Sequence, residues 1–257
     1  MRTPLLPITF PSIYESGGVK VPLPRRMAVC TPDMKAALFK TAQDLREAGG
    51  KLVLSDLFRS YDMQLGSHMD WKSGKKKAFS PPPGGSLHEA GRGFDLDLTS
   101  MKINLADFWT LAARNGIVPI IAEPKKNVSE SWHFECRGSH SLVQAYYKAG
   151  KGSNFDKPYQ AMAASAIVSV GVKVDKFAAV ANGQEAAYIQ SGLIRLGKDI
   201  GNMDGAIGKK TRDGCTALGI GIGSLEEMMT GVDQALQAKF PGEFFDSMPG
   251  GHEAPFA

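Results

Sequence analysis

The chain has 257 residues, with 30 Lys+Arg against 26 Asp+Glu and a formal net charge of +4. That mild basic bias is compatible with an anionic partner, nucleic acid or bacterial cell wall, and does not choose between them. The three cysteines, Cys30, Cys136 and Cys215, form no CxxC pair, which excludes a disulfide framework as the main staple. No run approaches the ~18 to 20 apolar residues that span a bilayer, and the length predicts two domains rather than one.

The opening "MRTPLLPITFPS" is broken by Pro4, Pro7 and Pro11, so it lacks the continuous apolar core of a secretory signal. Any route out of the cytoplasm is therefore expected to leave no trace here. Thr31-Pro32 starts a helix along which Met34, Leu38 and Leu45 recur until Gly49-Gly50. "KLVLSDLF" (51–58) reads as a buried strand. Residues 70–85, with four lysines, three prolines in a row and three glycines, read as an irregular surface loop rimming whatever site follows.

Residues 92–98 alternate as a strand does, with Phe94, Leu96 and Leu98 on one face and Asp95 and Asp97 on the other. Asn104 caps a helix carrying Leu105, Phe108, Trp109 and Ala112, stopped by Asn115-Gly116. "IVPIIAE" and "SWHFEC" are two more short strands. Elements mixed in this order predict an α+β domain over residues 1–150. A polar, glycine-containing linker at 150–158 then leads to a small helical domain at 160–245, with helices over 161–181, 184–197 and 224–239.

His88 stands seven residues before Asp95, roughly 23 Å apart if extended at ~3.3 Å per residue. For both to reach one ion the segment must fold back, and Gly91 and Gly93 permit the bend. Imidazole plus carboxylate is two thirds of a common catalytic zinc shell, whose fourth position is left for water. The other histidines are His68, His133, His140 and His252. His133 sits on the apolar-flanked strand "SWHFEC", and Glu130, three residues earlier, supplies a carboxylate able to take a proton from water acidified by the metal.

"SLHEAGRGFDLDL" (86–98) resembles the S-x-H-x-x-G-x-A-x-D signature of the zinc D-alanyl-D-alanine carboxypeptidase family, which includes vancomycin-resistance D,D-peptidases and several phage endolysins. "ESWH" resembles that family's E-x-x-H signature, and "LFRSYDMQ" is similar to its Y-R-S-x-x-x-Q segment. The three motifs occur in family order across residues 58–133. The resemblance implies Zn2+ held by His88, Asp95 and His133, with Glu130 as the general base that also returns a proton to the leaving amine. It implies Arg59 stabilising the oxyanion, and Ser86 and Gln64 at the substrate. Gly93 replaces the usual alanine, read as near-neutral for metal binding, and Phe58 replaces the usual tyrosine.

A second resemblance covers roughly residues 184–221. Ile189-Gln190, Leu193, Leu196-Gly197, Asp204-Gly205, Gly208 and Thr211 match, in order, the pattern of the helical peptidoglycan-binding module. The implied partner is bacterial peptidoglycan, with neither nucleic acid nor a membrane span. The implied activity is hydrolysis of stem peptides at the cell wall, as a D-alanyl-D-alanine carboxypeptidase or, alternatively, as an endolysin-type endopeptidase. A non-catalytic wall-binding protein is the remoter alternative, with the open three-ligand shell and an intact base against it.

Several residues keep two readings. Asp97 shares the strand face of Asp95, and is either packed behind the ligands or in solvent. Cys136 follows His133 by three and reads as a buried free thiol before it reads as a ligand. Glu135 rivals Glu130 as base, His68 and His140 are expected at the surface, and Lys75, Lys76 and Lys77 are expected on a solvated loop.

Overall fold

The computed structural model describes residues 2–248; His252 lies outside them. Leu6–Pro7 (β1) precedes a hairpin of Pro11–Ser16 (β2) and Val19–Pro22 (β3). Its turn residues Gly17 and Gly18 have φ of 58° and 78°, values that a tight two-residue connection requires. Val29–Cys30 (β4) returns to pair with β1. Pro32–Glu47 (α1) follows, with Pro32 at its first position and Met34, Leu38 and Leu45 buried as the spacing predicts.

Leu54–Asp56 (β5) is shorter than the expected strand. Beyond Asp56 the backbone turns away from the sheet to other partners, with Phe58 N–H donating to Met27 C=O at 3.0 Å and Arg59 N–H to His88 C=O at 3.2 Å. Tyr61–Lys72 (α2) is capped by the Ser60 hydroxyl and takes the first residues of the expected 70–85 loop. A short 3-10 turn, Leu87–Ala90, leads into Gly93–Leu96 (β6). Leu105–Arg114 (α3) begins at Asn104, whose side chain accepts from Asp107 N–H at 2.8 Å. Ile117–Pro119 (β7) and His133–Cys136 (β8) complete the sheet.

The six strands run in the order β3-β2-β5-β6-β8-β7, antiparallel except where β2 meets β5. This mixed sheet and the helices beside it make the α+β fold. Phe94 pairs across the ladder with Phe134, and Phe108 of α3 meets Phe134 edge-on at 4.9 Å between ring centres. Truncating one of these fully buried rings to alanine is expected to cost about 3–5 kcal/mol. The apolar face so anchored turns Asp95 and His133, also partners across the ladder, to the opposite side.

The chain continues as Ser141–Lys148 (α4), Pro158–Ser169 (α5), Asp175–Ala178 (α6), Gly183–Arg195 (α7), Lys209–Thr216 (α8) and Leu225–Lys239 (α9). The expected 161–181 helix breaks at Gly171, where φ is 82°. From Ala161 to Ser169 every residue of α5 is buried, so this helix lies inside the helical layer rather than on it.

Residues 150–158 do not act as a free tether. Leu87, Ala90, Val143, Tyr146 and Tyr147 join Ile189, Leu193, Val232 and Leu236 in one apolar cluster. The Tyr147 hydroxyl donates to Asn154 Oδ1 at 2.6 Å and accepts from Met203 N–H at 2.9 Å. Buried charge ties the chain further. Arg92 meets Asp33 of α1 at 2.7 Å and Glu243 at 3.5 Å, while Glu243 also accepts from Arg195 of α7 at 2.5 Å. Among the described residues, no helix is long and apolar enough to cross a membrane.

Candidate metal centre

Ser86 begins the site. Its hydroxyl accepts from His88 N–H at 3.4 Å, and the Glu89 carboxylate reaches back to Ser86 N–H at 3.2 Å, a capping box closing the turn that carries His88. Gly91 ends that turn with φ of 61°, in close contact with Cys30 and Leu5, so no side chain fits there. The chain thereby folds back, and His88 comes to lie over the Asp95–His133 pair of β6 and β8.

Asp95 Oδ1 lies 2.8 Å from His133 Nδ1 and 3.3 Å from His88 Nε2, and the two ring nitrogens are 3.2 Å apart. The outer nitrogens decide which groups face inward. His88 Nδ1 lies 2.7 Å from Leu57 C=O, which only accepts, so Nδ1 carries the proton and Nε2 the lone pair. His133 Nε2 lies 3.4 Å from Glu135 Oε1. Burial works against ionisation of Glu135, yet the His133 hydrogen bond and the Arg137 charge lower its pKa; it stays an acceptor, and His133 Nδ1 faces inward with its lone pair.

Three electron pairs thus converge on one point. Zinc bonds of ~2.0–2.1 Å on a tetrahedron set donors about 3.3 Å apart, and the observed 2.8–3.3 Å separations fit that spacing. Burial opposes a charged imidazole, but the hydrogen bonds to Asp95 and Glu135 raise His133 to about 10. Burial likewise opposes the Asp95 carboxylate, while His88 and His133 hold it well below the usual range. Among the described residues His88, Asp95 and His133 form the one group of such ligands able to hold a metal ion.

Glu130 precedes β8 by three residues, and its C=O accepts from His133 N–H at 3.0 Å. Among the described residues it is one of three non-glycine residues with positive φ, at 66°, a strained conformation. Burial raises its carboxyl pKa; the charges of His133, Lys76 and His88 oppose this and that of Asp95 adds to it. Lys76, on the loop after α2, is therefore close enough to bear on the site, and its Nζ donates to Ser67 Oγ at 2.9 Å.

Arg59 lies against the far oxygen of Asp95. Its Nε donates to Asp56 Oδ2 at 2.6 Å, Nη1 to Gln64 Oε1 at 3.2 Å and Nη2 to Asp95 Oδ2 at 3.4 Å. Asp56, opposite Asp95 in the ladder, went unrecognised in the sequence, although its placement three residues before Arg59 was a usable signal. Gln64 is fully buried, and its amide nitrogen donates to Ser80 Oγ and Pro81 C=O. The Gln64 amide and the Ser86 hydroxyl both bond protein groups, Gln64 supporting Arg59 and Ser86 the turn that carries His88.

The open readings close as follows. Asp97 accepts from Thr99 N–H, Ser100 N–H and the Ser100 hydroxyl, capping the turn at the end of β6 away from the ligands. Cys136 is a buried thiol whose pKa burial pushes up. Glu135 is buried behind His133 and has no face toward the site. His140, expected at the surface, is fully buried and bonds Ser165 Oγ at 2.8 Å, because α5 packs over it. His68 bonds Ser80 C=O at 2.8 Å. A Cβ at Gly93 would stand 3.1 Å from His88 N and 3.2 Å from His133 Cε1, tight contacts that a larger residue would accommodate only if a neighbour gave by a few tenths of an ångström.

In the helical layer the second motif closes on itself. Gln190 Nε2 donates to Asp204 Oδ1 at 2.7 Å and Ala206 C=O at 2.9 Å, and Gln190 Oε1 accepts from Gly205 N–H at 2.9 Å. Gly205 has φ of 80° and a Cβ there would press on Gly183.

No family model matches the sequence, and no curated protein matches it. Among solved structures the chain is similar to the LdcB LD-carboxypeptidase, whose structure is described as revealing the molecular basis of peptidoglycan recognition. Identity is 19 % over 51 % of this chain and 66 % of that one, just under two thirds of LdcB, with a TM-score of 0.39. It is similar also to DacB from Streptococcus pneumoniae D39, at 23 % identity over 48 % of this chain and 78 % of that chain, TM-score 0.34. A further structure, described as an L,D-carboxypeptidase DacB from the same species, gives 22 %, 47 %, 78 % and 0.33.

Proposed function

We propose that this protein is a zinc-dependent peptidase of bacterial peptidoglycan, a carboxypeptidase acting on the stem peptide at the cell wall. The observation that carries the reading is the convergence of the His88 Nε2, His133 Nδ1 and Asp95 Oδ1 lone pairs, with both outer imidazole nitrogens already engaged by Leu57 C=O and Glu135. A bound zinc ion supplies a Lewis acid that acidifies water and polarises the scissile carbonyl. Glu130, strained and raised in pKa, takes the proton of the attacking water and delivers it to the departing amine. Arg59, pinned by Asp56, Gln64 and Asp95, turns a fixed guanidinium toward the charge that develops on the carbonyl oxygen.

Residues 160–245 are read as a peptidoglycan-binding module joined to a catalytic part spanning 1–150. Such a module raises the local concentration of substrate without altering the chemistry. Mass spectrometry of muropeptides after digestion tests the whole reading. Loss of one terminal D-Ala from pentapeptide supports the D,D-activity that the motifs imply, and loss from tetrapeptide supports the L,D-activity carried by the names of LdcB and DacB. Freed stems or split crosslinks would replace the carboxypeptidase with an endopeptidase. Digestion that persists after chelation, in a protein retaining no zinc, would remove the metal from the account.

A further inference from the structure

Glu135 is a fully buried carboxylate, and a buried charge persists only where partners hold it. Its Oε2 accepts from Arg137 Nε at 2.7 Å. Its Oε1 accepts from the Tyr159 hydroxyl at 2.7 Å and faces His133 Nε2 at 3.4 Å. One oxygen therefore joins a metal-facing imidazole to a tyrosine at the second position of α5, in the helical layer.

We propose that Tyr159 is a positioning residue for the metal centre. Through Glu135 it holds the His133 ring so that Nδ1 faces the ion, and the helical layer thereby supplies part of the site. The proposal rests on the metal reading given above.

The distances assign the roles. Of the two contacts to Oε1, the tyrosine's is the short one, so Tyr159 fixes where the oxygen stands and His133 finds it there. Without the hydroxyl, Arg137 is the one close partner left to the carboxylate, the swing toward Oε2 is unopposed, and Nε2–H loses its acceptor. The ring can then turn or exchange its proton between nitrogens, and Nδ1 no longer presents a fixed lone pair. Tyr159 itself has little freedom, because Pro158 sets the backbone at the first position of α5 and the helix beyond is buried along its length. Partners of this kind typically alter metal affinity by about 10- to 100-fold when removed.

The experiment uses the full chain stripped of metal and titrated with Zn2+ against a chromophoric chelator, alongside melting of the metal-free protein. The variants are Tyr159→Phe, Glu135→Gln and Tyr147→Phe. The last removes a hydroxyl bonded to Asn154 and Met203 in the same apolar cluster, remote from His133. Expected are a zinc affinity lowered roughly 10- to 100-fold in Glu135→Gln and several-fold in Tyr159→Phe. Tyr147→Phe is expected to keep wild-type affinity while melting lower. If Glu135→Gln does not fold, Tyr159→Phe carries the test. Wild-type affinity in Tyr159→Phe, or an equal loss in Tyr147→Phe, overturns the proposal. A wild-type chain that takes up no zinc overturns the metal reading and this proposal with it.

Discussion

At β6 and β8 the motif side chains leave the apolar core and bring one atom each of His88, Asp95 and His133 within 3.3 Å of one another. At the turn between α7 and α8 the motif side chains do something else: Gln190 bonds Asp204 and the Gly205 N–H and closes the turn. Both regions present short, recognisable residue patterns. The difference lies in the kind of atom gathered. Imidazole nitrogens and a carboxylate oxygen drawn to one point make a set that a cation could share, whereas an amide bonded to backbone groups holds the chain in place.

The largest effect is expected from breaking the convergence. Asp95→Ala removes a ligand and leaves two lone-pair nitrogens facing each other, so zinc content by mass analysis should fall to background and hydrolysis with it. Glu130→Gln separates chemistry from binding: zinc is retained while the rate falls about 10²–10⁴-fold, read on purified muropeptides. Arg59→Lys keeps the charge but loses the fork that Asp56, Gln64 and Asp95 grip, with an expected fall of roughly 10²-fold in kcat. In the helical layer, Gln190→Ala should cost about 1–3 kcal/mol in denaturant unfolding, because it strands the buried Gly205 N–H while the exposed Asp204 keeps Ala206 N–H, with kcat on small muropeptides unchanged. Asp97→Ala sharpens the contrast within one strand. About 1 kcal/mol or less of stability is expected, and no change in zinc binding, in contrast to its neighbour two residues away.

The gathering of His88, Asp95 and His133 into one group that could hold a metal ion was legible because its signals are local. Alternation set the face of Asp95, two glycines permitted the return of His88, and the apolar flanks placed His133 on a strand. The supports were not legible, because each depends on register. Asp56 matters because β5 brings it opposite Asp95, Leu57 because its carbonyl meets His88, and Tyr159 because α5 packs behind β8. Helix α2 escaped notice since Gln64 is its one buried residue, so no periodicity marks it. The β2–β3 hairpin had a readable signal in Gly17-Gly18 between alternating residues, and it was overlooked in a segment judged for export alone.

Glu243 has a consequence for how far this chain can be shortened. Its carboxylate faces two guanidiniums shut off from solvent, Arg92 at 3.5 Å and Arg195 at 2.5 Å. Ending the chain before 243 leaves Arg195 buried without that counter-charge, a loss of about 3–5 kcal/mol, whereas Arg92 keeps Asp33 at 2.7 Å. In the intact chain one carboxylate thus serves arginines from both the sheet and the helical layer, and the two should melt in a single transition.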